Sequence, residues 1–157
     1  MTPKQIAAVL VLGLAAGCAT HGPLQGRSGN YVDALSFAYS DQMADDAVKQ
    51  LCALYPPANT RLALKRESSD PFGAALTAKL RERGYAVVEP LPEPRQARAG
   101  SAETTPSAPE TELSYVVDRL GASEYLVIVQ VGGQSIGRVY RPEADCLAPV
   151  GYWARKE

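Results

Sequence analysis

The chain reads as a small α/β domain, a two-layer sandwich in which a mixed sheet carries helices on one face. Three observations predict this. Arg61 to Lys65 and Tyr85 to Val88 are short strand-like segments on either side of a well-signalled helix, the spacing of a parallel βαβ unit. Tyr125 to Val131 is apolar at every position except Gln130, the pattern of a central strand buried on both faces. Gly132-Gly133 then turns the chain into Ser135 to Tyr140, a C-terminal antiparallel hairpin that Cys146 to Trp153 extends to a meander.

Taken in order, Tyr31 to Tyr39 is a mixed apolar stretch of no definite type. Ser40 or Asp41 is placed to cap a helix over 41–55, whose Met43, Ala47, Leu51 and Leu54 follow helical spacing. Asp45 and Asp46 fall near the positive N-terminal end of that helix, and Pro56-Pro57 stops it. Leu62 and Leu64 alternate along a short strand. Asp70 is a good N-cap, and Pro71 fits the first helical position, where its missing N–H costs nothing. Phe72, Ala75, Leu76 and Leu80 make one apolar stripe, Arg81 and Arg83 suit the C-terminal end, and Gly84 supplies the left-handed cap.

Residues 89–112 hold five of the twelve prolines and one large apolar residue, Leu91. Such a stretch cannot bury a core and is expected to be a disordered linker inside the domain. Beyond it Leu113, Val116, Val117 and Leu120 recur at i, i+3, i+4 and i+7, which predicts a short helix capped by Gly121. Pro149 confines the last strand to a sheet edge or interrupts it.

The N-terminus carries the sharpest chemical signal. Lys4 precedes an apolar run from Ile6 to Leu14, and Leu14-Ala15-Ala16-Gly17 leads into Cys18. The run is far shorter than the roughly 20 residues a spanning helix needs. It has the form of a bacterial lipoprotein signal peptide over 1–17, with Cys18 acylated by diacylglycerol and an N-acyl chain as the mature N-terminus. Ordinary signal cleavage near Ala16 is the alternative. With Ala19 rather than Asp after the cysteine, sorting favours the outer membrane, with the domain in the periplasm. Residues 18–30 are small and polar and read as a flexible tether to a single domain over 31–157.

Removing 1–17 costs only Lys4 among the charged side chains and leaves 15 basic against 17 acidic groups. That balance, without a basic stripe, gives no nucleic-acid footprint. Cys52 and Cys146 are the two further cysteines. In an oxidising compartment the pair suggests one disulfide, worth of order 4 kcal/mol in the chain-entropy picture. Two unpaired thiols are the alternative.

Candidate chemistry is sparse. Gly133-Gln134-Ser135-Ile136-Gly137 fits the G-x-S-x-G nucleophile elbow, but the motif needs a strand, a sharp turn and a helix. The one histidine, His21, lies upstream of Ser135, against hydrolase order. One histidine and two distant cysteines make no metal-ligand spacing, so no metal, no soluble cofactor and no small-molecule substrate are expected. Glu143 and Asp145 read as loop carboxylates. Tyr140, Tyr152 and Trp153 are candidate interface aromatics, the alternative being that they cover the edge of the core.

At this point the chain resembles the TrbH family of conjugal transfer lipoproteins. The resemblance rests on the Leu14-Ala15-Ala16-Gly17-Cys18 terminus, the Asp41-Gln42-Met43-Ala44-Asp45-Asp46-Ala47 helix start and the Asp70 to Val88 helix–strand segment. The block from Leu120 to Ile128 and the closing Leu147-Ala148-Pro149-Val150-Gly151-Tyr152-Trp153 complete it. It implies a non-catalytic component of a type IV secretion system that moves plasmid DNA between cells. It further implies association with TrbG-like and TrbI-like core subunits at the outer membrane. Cys18 is the one functional position the resemblance carries over. A pilot or wall-binding lipoprotein of another envelope machine is the first alternative, and a serine hydrolase is a remote one.

Overall fold

The computed structural model describes residues 26–90 and 109–156. Strand β1 (Gly29–Asn30) leads to helix α1 (Phe37–Leu54), a 3-10 turn (Pro57–Asn59), strand β2 (Arg61–Leu64), helix α2 (Pro71–Glu82) and strand β3 (Ala86–Val88). Four longer strands follow: β4 (Glu110–Leu120), β5 (Glu124–Val131), β6 (Gln134–Glu143) and β7 (Cys146–Lys156). They form one mixed sheet in the order β3-β2-β4-β5-β6-β7. The β2-α2-β3 segment is the expected parallel unit, with Leu62 opposite Val87. Strand β2 also runs parallel to β4, and β1 lies along β4 further on, Gly29 opposite Val116. From β4 onward the pairing is an antiparallel meander. The predicted fold class is the one observed.

Both helices begin where side chains satisfy the free N–H groups of a first turn. Asp70 Oδ1 accepts from Phe72 N at 3.1 Å and Gly73 N at 3.0 Å, as the Asp70-Pro71 pair predicts. Its other carboxylate oxygen accepts from Tyr115 Oη on β4, so one side chain both caps α2 and fastens it to the sheet. That contact dictates Gly73, because a Cβ there would fall 2.0 Å from Tyr115 Oη. Helix α1 starts four residues before the predicted 41. Ser36 is the cap, its Oγ accepting from Tyr39 N at 3.2 Å, and Ser40 is fully buried within the helix. Ser40 stands one turn before Met43 and Ala44 and two before Ala47 on the same stripe, so the buried face extends through a polar residue.

The segment read as a helix at 113–120 is instead strand β4. Its i, i+3, i+4, i+7 spacing is accidental: every residue from Leu113 to Val117 is buried, because this strand sits between the parallel and antiparallel halves and is covered on both faces. Tyr115, Val116 and Val117 are residues that favour a pleated strand. Glu110 to Glu112, at the end of the expected linker, are part of β4 and pair with β2. Gly29 and Asn30, at the end of the expected tether, are β1. The rest of the tether up to residue 25, the signal segment with Cys18, and linker residues 91–108 lie outside the described residues.

The core lies between the helices and one face of the sheet. Met43, Ala44, Ala47, Val48 and Leu51 of α1 and Phe72, Leu76 and Leu80 of α2 are at most 1% exposed. They pack on alternate sheet residues: Leu113, Tyr115 and Val117 of β4, Val127, Val129 and Val131 of β5, and Ile136 and Tyr140 of β6. Each of the Val, Leu, Ile, Met and Phe side chains among these contributes roughly 1.5–3 kcal/mol on leaving water.

Candidate functional site

Strand β5 departs from its predicted double burial in an informative way. Val127, Val129 and Val131 are buried against the helices, but Leu126, Ile128 and Gln130 point to the opposite face and are only half-buried. Among the described residues no helix covers that opposite face. The register defines what stands on it. Val116, Ile128, Gly137 and Ala154 form one row across four strands. Asp118, Leu126, Val139 and Val150 form the next row on one side, and Ser114, Gln130, Ser135 and Lys156 the next on the other. Two rows are thus apolar or small apart from Asp118, which pairs with Arg27 at 3.3 Å, and the third is polar. A groove of about 490 Å³ runs over β5, β6 and β7 on this face.

The edge of the groove is shaped by an irregularity between β6 and β7. Gly137 pairs with Ala154 and Val139 with Val150, so Arg138 alone faces residues 151–153. The extra length bulges out at Gly151, whose φ of +72° suits glycine, and lifts Tyr152 to 96% exposure. Arg138 holds the bulge from the helix side. Its Nη2 donates to Gly151 O and its Nη1 to Asp46 Oδ2 on α1, each at 2.8 Å. Tyr140 Oη donates to the same Asp46 oxygen at 2.7 Å, and Trp153 lies against the guanidinium, its ring centre 5.8 Å from Cζ. Burial, then the bond to Asp46, pushes the Tyr140 phenol far above its ordinary range.

Asp45 and Asp46 are therefore not a charge pair at a helix N-terminus. With α1 starting at Phe37 they fall mid-helix, beyond the reach of the terminal dipole. Asp45 pairs with Lys49 one turn on at 2.6 Å, and that bond holds its carboxyl below the usual range. Asp46 instead ties α1 to β6. Of the three candidate interface aromatics, Tyr140 is a core residue with its hydroxyl on Asp46, which removes it from any surface. Trp153 is half-buried against the core edge, and Tyr152 stands out on the groove side.

The cysteines are apart. Cys146 opens β7, and the next residue, Leu147, donates its N–H to Gln42 Oε1 near the start of α1 at 2.8 Å. Cys52 lies ten residues further along that helix, about 15 Å at 1.5 Å per residue. A disulfide needs α-carbons within about 7 Å. Both thiols are free, and the expected bond is not formed.

Ser135 pairs with Gln130 in a regular hairpin. The strand-turn-helix of a nucleophile elbow is absent there, since Gly133 to Gly137 runs from a turn directly into β6. Among the described residues no group of three or more His, Cys, Asp or Glu side chains could hold a metal, and no helix is long and apolar enough to cross a membrane. Sequence reasoning missed the Asp46–Arg138 tie, which joins residues 92 positions apart. It also missed the open face, although the apolar run of β5, interrupted only at Gln130, was its signal.

Fold and site together define a two-layer α/β domain with an apolar stretch of its sheet, over β5 to β7, that no helix among the described residues covers. The model of the conjugal transfer protein TrbH family matches residues 25–157, and the chain belongs to that family, a component of conjugation systems. No curated protein and no solved structure matches it.

Proposed function

We propose that this chain is a lipid-anchored, non-catalytic component of a conjugative type IV secretion system. Acylated Cys18 holds it at the outer membrane. Its α/β domain stands in the periplasm and stabilises the core complex by binding TrbG-like and TrbI-like subunits. The observation that carries this reading is the family match, which spans the whole folded domain. The uncovered apolar face supports it, since such a face on a small domain is a site for a macromolecular partner. The lipoprotein pattern ending at Cys18 supports the anchor. The eight residues from Cys18 to Gln25 reach at most about 28 Å, which keeps the domain close to the bilayer.

The test is to express the C-terminally tagged chain in its native host, crosslink, extract membranes and identify what co-purifies. The reading expects core-complex subunits of the transfer apparatus, recovered with the wild type and lost with Cys18→Ser. Recovery of an unrelated envelope machine would overturn it. Fatty-acid label retained by Cys18→Ser would overturn the anchor.

A further inference from the structure

A face of an antiparallel sheet that meets water normally alternates to polar residues on that side. Here Leu126, Ile128, Val139 and Val150 occupy the outward positions instead. The face is also concave. Gly137 and Ala154 leave the floor low, while the bulge at Gly151 raises Tyr152 as a wall along the β7 edge. A Cβ at Gly137 would meet Ile128 Cγ1 at 3.4 Å, in contact with the side chain beside it on the floor.

Size argues against a second copy of the chain as the occupant. The open part of the face, three strands (β5 to β7) about 4.8 Å apart and three rows about 7 Å apart, measures roughly 300 Å². A stable interface takes about 800 Å² from each partner. A single helix of about three turns, roughly 15 Å long, matches the span of these three strands. Charge sets its polarity. The residues lining the groove include Arg138, Arg155 and Lys156 and no carboxylate. Arg138 is neutralised by Asp46 and Arg155 donates to Gln134, so the charge that bears on the open face is Lys156, which closes the polar row.

We propose that this open face docks an amphipathic helix of a partner protein in the transfer apparatus. The helix lays its apolar stripe in the trough and sets an acidic residue against Lys156. The proposal rests on the scaffold reading above and names the surface that reading requires.

The test uses the full chain in cells carrying the transfer apparatus, with the photocrosslinker p-benzoylphenylalanine replacing Tyr152 or, as a control on the helix side, the exposed Glu82. The expected result is an adduct from position 152, and not from 82, to a transfer protein. The crosslinked peptide should map to a helical segment with an apolar stripe and a flanking Asp or Glu. Ile128→Gln with Val139→Gln should cut that adduct about tenfold while leaving the thermal midpoint within a few degrees, and Lys156→Glu should cut it severalfold. An adduct to a second copy of the chain, to lipid, or to nothing overturns the docking proposal. If the tagged chain still co-purifies with transfer subunits in those cases, the scaffold reading stands without it. If no transfer subunit co-purifies at all, both fall.

Discussion

Along the centre of β5 the two faces of the sheet carry similar aliphatic side chains and do different work. On the helix side Val127 and Val129 are fully buried, and on the other side their neighbours Leu126 and Ile128 are only half-covered. Composition does not separate the two; coverage does. Burial against α1 and α2 makes one face the source of stability. The other keeps apolar surface in contact with water, which is unfavourable for the isolated domain and useful only if something else covers it.

Substitutions on the two faces sharpen this contrast. The largest effect belongs to the core: Phe72→Ala, at a fully buried position, should cost about 3–5 kcal/mol and lower the denaturant midpoint without changing the slope. Next comes the tie between the layers. Asp46→Ala leaves the Arg138 guanidinium and the Tyr140 hydroxyl without their shared acceptor and should cost about 2 kcal/mol. It should also loosen the bulge, seen as faster amide exchange around Gly151.

Alkaline pH tests the helix side in another way. Tyr115 and Tyr140 have phenol pKa values raised by burial and then by Asp70 and Asp46, and Tyr85 is raised by burial and then by Cys52. In the unfolded chain these phenols ionise near pH 10. Above that the unfolded state binds fewer protons than the folded one, so stability is full below about pH 10 and falls as pH rises further. Urea unfolding at pH 9 and 11 should show the loss, and Tyr140→Phe should make it shallower. A midpoint indifferent to pH over that span would contradict the burial assigned to these rings.

On the open face the effects on stability should be small. Tyr152→Ala should change it by less than about 0.5 kcal/mol, since the ring is 96% exposed. A large loss there would mean that the face is already covered within the chain. Thiol counting on a denatured, unreduced Cys18→Ser variant should give two groups, and in the folded protein exposed Cys146 should react before half-buried Cys52.

Much of the fold was legible because local chemistry and tertiary role agree. Asp70-Pro71 caps α2, Gly132-Gly133 turns the hairpin, and Pro149 sits on the edge strand, each as its residue type demands. Strand β4 was not legible, because a strand buried on both faces has no alternation, and its apolar residues fell by chance on helical spacing. The start of α1 was hidden by Ser40, a polar residue on the buried stripe. The site was less legible than the fold. Asp46, Arg138 and Tyr140 meet only after a helix and a sheet pack together, and no local pattern records such a meeting. The absent disulfide has the same origin: a pair of cysteines counts the same whether one helix turn or several separate them.

The position of β4 also governs the order in which the molecule can assemble. It is the one strand that touches both the parallel and the antiparallel halves, and it follows the longest connection in the sequence. A chain emerging N-terminus first exposes α1, α2 and the two short strands β2 and β3 before any partner for β2 on its other side exists. The meander from β4 to β7 is joined by tight turns and closes through local contacts, which form quickly. Truncation within β4 leaves α1 and α2 only the short β2–β3 pair to bury against, where the intact chain gives them four longer strands.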